Sequence, residues 1–102
     1  MAVDHVLVKS PASLTTATRG AFYDLALVGL EQLSTLPGPG RLVVDLRQTT
    51  RIDSSGLSSL VLLQVRAAER KHSVALLGAS EEIRFLLLMT RLEDRFDLDP
   101  QV

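Results

Sequence analysis

The chain has 102 residues, 46% of them hydrophobic and 23% charged, which is the size and composition of one domain, expected here over residues 1–102. A net charge of −1 and an aromatic content of 4% argue against nucleic-acid binding, and the lack of cysteine excludes disulfides, thiol catalysis and cysteine-ligated metals. No apolar stretch nears about 20 residues and no signal-peptide pattern precedes residue 10, so we expect a cytoplasmic protein without membrane insertion.

The first half of the chain predicts a strand, a helix and a second strand. Val3–Lys9 alternates loosely and contains three valines, which is typical of a strand. Apolar residues at three- and four-residue steps predict a helix from Thr18 to about Ser34, which the Pro-Gly-Pro-Gly turn at 37–40 ends. Arg41–Leu46 is a nearly continuous apolar run, as in a strand of a parallel sheet covered on both faces, and a polar loop, Arg47–Arg51, follows. The buried face of the helix is predicted to contain Phe22, Leu25, Ala26, Gly29 and Leu33.

The second half repeats the alternation of helix and strand. A long helical pattern runs from the segment at residues 53–57 to about His72, and Ser73–Gly78 is a strand of the buried type. Ser80 is a predicted N-cap of a helix that ends near Thr90, and Arg95–Leu98 is a weak last strand before Pro100. The predicted core stripe of the long helix is Leu57, Leu60, Val61, Val65 and Ala68. The order β-α-β-α-β-α-β indicates an α/β domain whose mixed, mostly parallel sheet has helices packed on it.

The segment Asp53-Ser54-Ser55-Gly56-Leu57 is the most informative part of the chain. It lies between a buried strand and a helix, where the first backbone N–H groups have no intrahelical partner and the helix dipole favours negative charge. Ser and Asp are preferred N-caps, so one interpretation of the segment is capping alone. The other is a phosphorylation site, because the same amides can hold a phosphate.

The predicted helix after this segment has a side that points away from its predicted core stripe. Helical spacing places Ser55, Ser58, Ser59, Leu62 and Arg66 there, and Leu62 and Leu63 both fall outside the stripe. Gly56, without a side chain, lets another surface approach the first turn closely. The predicted partner-binding residues are Asp53, Ser54, Ser55, Gly56, Leu57, Ser58, Ser59, Leu62 and Arg66.

The remaining residues give no constellation for catalysis, a metal or a cofactor. His5 and His72 belong to no metal-ligand spacing, and His72 is predicted to cap a helix end or to be solvated. Gly38–Gly40 lacks the spacing and the lysine of a phosphate-binding loop. Because no nucleophile has an adjacent base, we expect a protein that is not an enzyme, with no catalytic residues.

Residues 41–96 resemble the STAS domain of anti-sigma factor antagonists. The resemblance is carried by Asp45-Leu46, by the segment Asp53-Ser54-Ser55-Gly56-Leu57, by Val74–Gly78 and by Leu92–Phe96, in order and spacing. It implies that Ser55 is the phosphoacceptor, with Ser54 as the alternative. It also implies an anti-sigma factor partner that is itself a serine kinase and is bound while the serine is bare, and a serine phosphatase that resets the switch.

The N-terminal part departs from the family pattern. Ala12-Ser13-Leu14-Thr15 is the counterpart of a Gly-Glu-Leu-Asp segment, with Thr15 in place of the acid, and one clear strand precedes the first helix. The chain also stops soon after the last predicted strand. Two other functions stay open: a constitutive STAS adaptor subunit of a lipid-transport ABC system, and a small-ligand sensor.

Overall fold

A computed structural model describes residues 4–99 and confirms the α/β class. Val3, the first residue of the predicted first strand, and Pro100, which follows the predicted last strand, lie outside the described residues. The strands are β1 (Asp4–Lys9), β2 (Ser13–Leu14), β3 (Gly40–Asp45), β4 (Arg51–Ile52), β5 (Ser73–Leu77) and β6 (Asp97–Asp99). The helices are α1 (Arg19–Ser34), α2 (Ser54–Glu69) and α3 (Glu81–Met89), and a short 3-10 turn covers Glu93–Arg95.

The main sheet has four strands in the order β1-β3-β5-β6, and every neighbouring pair is parallel. Each step between neighbours passes through a helix, as parallel pairing requires. The last strand begins two residues later than predicted, because the 3-10 turn takes up Arg95.

A second, two-stranded parallel ladder joins β2 to β4, with Ser13 opposite Arg51 and Leu14 opposite Ile52. The sequence predicted one strand before the first helix, and this second one was missed because two residues are too few to show an alternating pattern. Leu14 is completely buried. The ladder therefore anchors the segment before α1 to the segment before α2.

α1 packs over β1 and β3 through a close contact at Gly29. A side chain at this position would lie 2.9 Å from Leu42 Cδ1 and 3.1 Å from Val6 Cγ1, so the helix backbone rests directly on the sheet. The prediction that Leu25 belongs to the buried face is wrong, since 62% of it is exposed. Leu25 lies at the margin of the buried face of α1, on the side next to β1. The buried residues of α1 are Phe22, Ala26, Gly29, Leu30 and Leu33.

α2 lies against α1 and β5 and is rotated relative to the predicted core stripe. Leu63, predicted to fall outside the stripe, is fully buried, whereas Val65 is 37% exposed and Ala68 is also exposed. Val61 is half-buried. The apolar residues of α2 lie on nearly every side of the helix. Its contacts with α1 and β5, rather than the local sequence pattern, therefore decide which of these residues are buried. The buried residues of α2 are Gly56, Leu57, Ser59, Leu60, Leu63 and Ala67.

His72 is buried, so the prediction of a solvated residue is wrong, whereas its backbone N–H does cap the end of α2 by donating to the Ala67 carbonyl at 2.8 Å. α2 ends at Glu69, and the left-handed backbone of Lys71 (φ 62°) turns the chain back under the helix. The His72 Nδ1 atom accepts a hydrogen bond from the backbone N–H of Gly40 at 2.8 Å, and its Nε2 atom lies 3.3 Å from the Ser34 hydroxyl. The imidazole therefore joins the end of α1, the start of β3 and the start of β5.

Replacing this histidine tests its structural role. We expect His72→Ala to lower the free energy of unfolding by about 1–3 kcal/mol, because the buried Gly40 N–H loses its acceptor. Urea denaturation at neutral pH measures the change. His5→Ala is the matched control, since His5 is exposed on β1 and its loss is expected to change stability by less than about 0.5 kcal/mol. Equal effects of the two substitutions would contradict this role for His72.

Candidate functional site

The segment at residues 53–57 opens α2, and its N-cap is Asp53. The Asp53 Oδ1 atom accepts a hydrogen bond from the Gly56 N–H at 2.8 Å, and the Asp53 carbonyl accepts one from the Leu57 N–H at 2.9 Å. Ser54 and Ser55 are the first two helical residues. Capping therefore rests on the aspartate, and the Ser55 hydroxyl has a different role.

The Ser55 hydroxyl contacts the loop that precedes α1. The Thr16 hydroxyl donates to Ser55 Oγ at 2.9 Å, and the Thr16 N–H donates to Asp53 Oδ2 at 3.2 Å. Thr16 is exposed and Ser55 is half-buried. Sequence reasoning compared Thr15 with the family's acidic residue and missed Thr16, because 39 residues separate it from Ser55 and no local pattern marks it.

The start of α2 already holds a negative charge from its own chain. The Gly56 N–H beside Asp53 has the largest effect and holds the pKa of that carboxyl below its usual value, and the N–H groups of Thr16 and Ser55 act in the same direction. Partial burial raises the pKa of Asp53, and this effect is smaller than that of the Gly56 N–H but larger than that of the Thr16 or Ser55 N–H. The predicted anion-binding property of this helix end is thus used by the Asp53 carboxylate, which is ionised at neutral pH.

Gly56 allows a close approach, but the surface that approaches is the chain's own β2. A side chain at residue 56 would overlap the carbonyl oxygen of Leu14, which also accepts a hydrogen bond from the Asp53 N–H at 3.2 Å. Because a backbone carbonyl in a ladder cannot move aside, only glycine fits. Gly56 is therefore a buried structural residue that positions the two serines.

The predicted partner-binding residues divide into exposed and buried sets. Ser59 is 3% exposed and donates to the Gly56 carbonyl at 2.6 Å, so the prediction that it points away from the core is wrong. Leu57 is also buried, at 9% exposure. Arg66 is exposed and pairs with Glu69 at 3.2 Å, one turn from the end of the helix. The residues that remain at the surface are Asp53 and Ser55, both half-buried, and Ser54, Ser58, Leu62 and Arg66, all exposed.

Two shallow grooves with apolar walls lie beside this surface. One, of about 420 Å³, runs along α2 and is lined by Leu57, Ser58, Val61, Leu62, Val65 and Leu92. The other, of about 550 Å³, lies between the segment before Asp53 and α3, and its lining includes Arg51, Ile52, Phe85 and Met89. Phe85 and Met89 are 62% and 65% exposed. Exposed apolar side chains of this kind are suited to contact with another protein.

The described residues give no sign of metal binding at this site or elsewhere. Within residues 4–99, no group of three histidine, aspartate or glutamate side chains is placed to hold a metal ion. None of the helices in this range is long and apolar enough to cross a membrane.

Comparisons with known proteins agree on one family. The family model described as "Mlab, STAS domain" matches residues 5–99. A STAS-domain containing protein of Pseudomonas aeruginosa (strain UCBPP-PA14) is 38% identical over 60 residues, which is 59% of this chain and 59% of that protein. The match thus spans less than two thirds of the curated relative.

Two solved structures share the fold. A proposed anti-sigma factor antagonist from Thermotoga maritima superposes with a TM-score of 0.79 at 17% identity, over 97% of this chain and 81% of that one. A sulfate transporter family protein from Wolinella succinogenes gives a TM-score of 0.74 at 13% identity, over 100% of this chain and 83% of that one.

The contact at Gly56 gives a stability prediction. We expect Gly56→Ala to lower the free energy of unfolding by more than about 2 kcal/mol, because the added methyl group has to displace the Leu14 backbone. Gly20→Ala is the matched control: it is also near the start of a helix, no atom lies within 4 Å of the added carbon, and its stability should be unchanged or slightly higher. Thermal and urea unfolding of both variants decide the point.

The Asp53 cap gives a pH prediction. A carboxyl whose pKa is lowered on folding stabilises the fold above its unfolded pKa of about 4, and this stabilisation is lost as the pH falls through the folded pKa. Asp53→Asn should therefore unfold at a lower urea concentration than the wild type at pH 7, and the difference should narrow at pH 3. Asp24→Asn, on the exposed side of α1, is the control. If the difference in urea midpoint between the wild type and Asp53→Asn were the same at pH 7 and pH 3, the charge of Asp53 would have no part in capping.

Proposed function

The chain belongs to the STAS domain family, and from this premise we propose that it is an anti-sigma factor antagonist that binds its partner while Ser55 is unmodified. Phosphorylation of Ser55, or of Ser54 as the alternative, releases the partner. The observation that carries the proposal is that Asp53, and not a serine, caps α2, so that the Ser55 hydroxyl lies at the surface without a capping duty.

Because Asp53 caps α2 and Ser55 does not, a modification of Ser55 is compatible with the fold. A phosphate on Ser55 leaves the bond from the Gly56 N–H to Asp53 in place, so the helix keeps its cap. The phosphate adds a charge of about −1.5 to −2 beside a carboxylate that is already ionised. The surface at the start of α2 then changes from two small hydroxyl groups and one charge to a strongly negative patch.

The partner-binding surface in this proposal consists of the exposed residues of α2 and the two grooves beside them. Leu62 is 41% exposed and lines the groove along α2, where a partner's apolar side chains can pack. Ser54 and Ser58 present small side chains near Ser55, so a bare surface permits close contact and a phosphate blocks it. Desolvating the phosphate and Asp53 together in an apolar interface is costly, which is the physical basis of release.

The proposed partners are an anti-sigma factor with serine kinase activity and a serine phosphatase that restores the hydroxyl. In this proposal the domain catalyses no reaction, requires no cofactor and acts in the cytoplasm. The Thermotoga maritima protein of similar structure is described as a proposed anti-sigma factor antagonist, which supports this role.

A constitutive adaptor subunit of a lipid-transport ABC system is the second candidate. The similarity to a sulfate transporter family protein shows the same fold in a transport protein. In this case the partner is a transporter ATPase, binding is permanent, and Ser55 serves only to hold Thr16 through the bond of 2.9 Å.

Affinity capture from the native cytosol distinguishes the two functions. We expect wild type and Ser55→Ala to retain a serine-kinase-type ATPase that mass spectrometry identifies, and Ser55→Asp to lose it, because the added carboxylate imitates part of the phosphate charge. Mass spectrometry of the captured wild type in the presence of ATP then locates the phosphate on Ser55 or Ser54.

Ser54→Asp puts the same charge on the neighbouring helical residue and tests the alternative site: loss of the kinase from this variant alone would assign the switch to Ser54. If a transporter ATPase is retained equally by wild type and all three variants, the adaptor function is correct and the switch is wrong. If a kinase is retained equally by all of them, modification of this serine does not control binding.

A further inference from the structure

β1 is an edge of the main sheet, and part of its backbone faces outward. The Ser10 N–H donates to the Asp45 carbonyl at 3.0 Å, so residue 10 and the even-numbered residues of β1 point their backbone groups toward β3. Because these directions alternate along a strand, the N–H and C=O groups of His5, Leu7 and Lys9 point away from the sheet. No hydrogen bond from another residue within 4–99 reaches them.

The surroundings of this edge are apolar. Leu7 is 52% exposed at the centre of the strand, and Leu25 and Val28 of α1 are 62% and 51% exposed beside it. A groove of about 300 Å³ lies between β1 and α1, and its wall includes Leu25 and Val28 of the helix and residues 6–9 of the strand. Edge strands that stay single usually carry a lysine, a proline or a bulge in the middle. Here the middle of the edge is Val6-Leu7-Val8, and Lys9 stands at its end.

We propose that this edge pairs with the same edge of a second copy of the chain, forming an antiparallel two-fold dimer centred on Leu7. Residues that face each other across an antiparallel ladder point to the same side of the sheet, so a two-fold axis pairs odd residues with odd ones. The register that uses all three outward residues pairs Leu7 with its copy and His5 with Lys9. Val6 then lies opposite Val8, and the two sheets become one of eight strands.

This arrangement explains the exposed apolar residues on both sides of the edge. The two Leu7 side chains meet at the axis, on the face of the sheet opposite α1, with Cα atoms about 5.5 Å apart. Val6 and Val8 of the partner extend the floor beneath Leu25 and Val28 on the α1 side. The register places no two lysines and no two acids opposite each other, since Lys9 faces His5 and Asp4 lies opposite Ser10.

The size of the face predicts a weak dimer. The 16-residue helix and the six-residue strand make the strip about 24 Å long, and a strand layer and a helix layer of about 10 Å each make it about 20 Å deep, or roughly 500 Å² per copy. Stable complexes bury about 800 Å² per partner. The expected association is therefore reversible, with a dissociation constant in the micromolar range, on the order of 10–100 µM.

Sedimentation equilibrium between about 1 and 500 µM tests the proposal. The wild type should pass from the monomer mass of 11.1 kDa to twice that mass. Leu7→Lys should raise the dissociation constant at least about tenfold, because two lysines then meet at the axis. Leu7→Pro should act similarly, since it removes an outward N–H and leaves the bonds to β3 intact.

The matched control is Leu88→Lys on α3, because Leu88 has nearly the same exposure as Leu7, 51%. This variant should associate like the wild type. Ser55→Asp should also associate like the wild type, which would show that self-association does not depend on the proposed switch at α2. Circular dichroism confirms that each variant is folded. A wild type that stays monomeric to 500 µM, a dimer that persists in both Leu7 variants, or equal dissociation by Leu88→Lys would overturn the proposal.

Discussion

The position of the Leu14 carbonyl against Gly56 is the constraint on which the site depends. Leu14 is completely buried, its strand pairs with the residues before Asp53, and its carbonyl oxygen accepts the Asp53 N–H. These contacts determine where α2 begins and how its first turn is oriented. Asp53 is thereby placed to cap the helix, Ser55 is held at the surface, and Thr16, two residues after Leu14, reaches both of them.

The electrostatics of this helix end follow from the same arrangement. Backbone N–H groups of α2 and of the loop before α1 converge on the Asp53 carboxylate and keep it ionised. Because the Asp53 carboxylate already occupies these N–H groups, they are not available to bind a free phosphate. The start of α2 is instead a place where an added charge changes the surface strongly, because the nearest N–H groups are already engaged. This is the property that a phosphorylation-controlled binding surface requires, and it is why the proposed function depends on Asp53 as much as on Ser55.

The two proposed surfaces use different parts of the fold. Partner binding involves α2 and the grooves beside it, whereas self-association involves β1 and the adjoining side of α1. Gly29 links α1 to the sheet at a distance that leaves Leu25 and Val28 beside the edge strand. A chain of this size thus has room for two protein contacts that do not share residues, and one can be lost without the other.

The sequence by itself determined the order of the main elements, the parallel sheet and the start of α2, because these depend on local periodicity, turn residues and cap preferences. It predicted Ser80 as an N-cap, which its bond from the Ile83 N–H confirms, and it located the segment at residues 53–57 at a helix N-terminus. Only the tertiary structure decided the rotation of α2, whose apolar residues at 57, 60–63 and 65 gave local patterning no unique face. The burial of His72, the ladder between β2 and β4 and the contact of Thr16 with Ser55 likewise join residues 32 to 39 positions apart. Such contacts form when distant segments pack together, and no local pattern in the sequence records them.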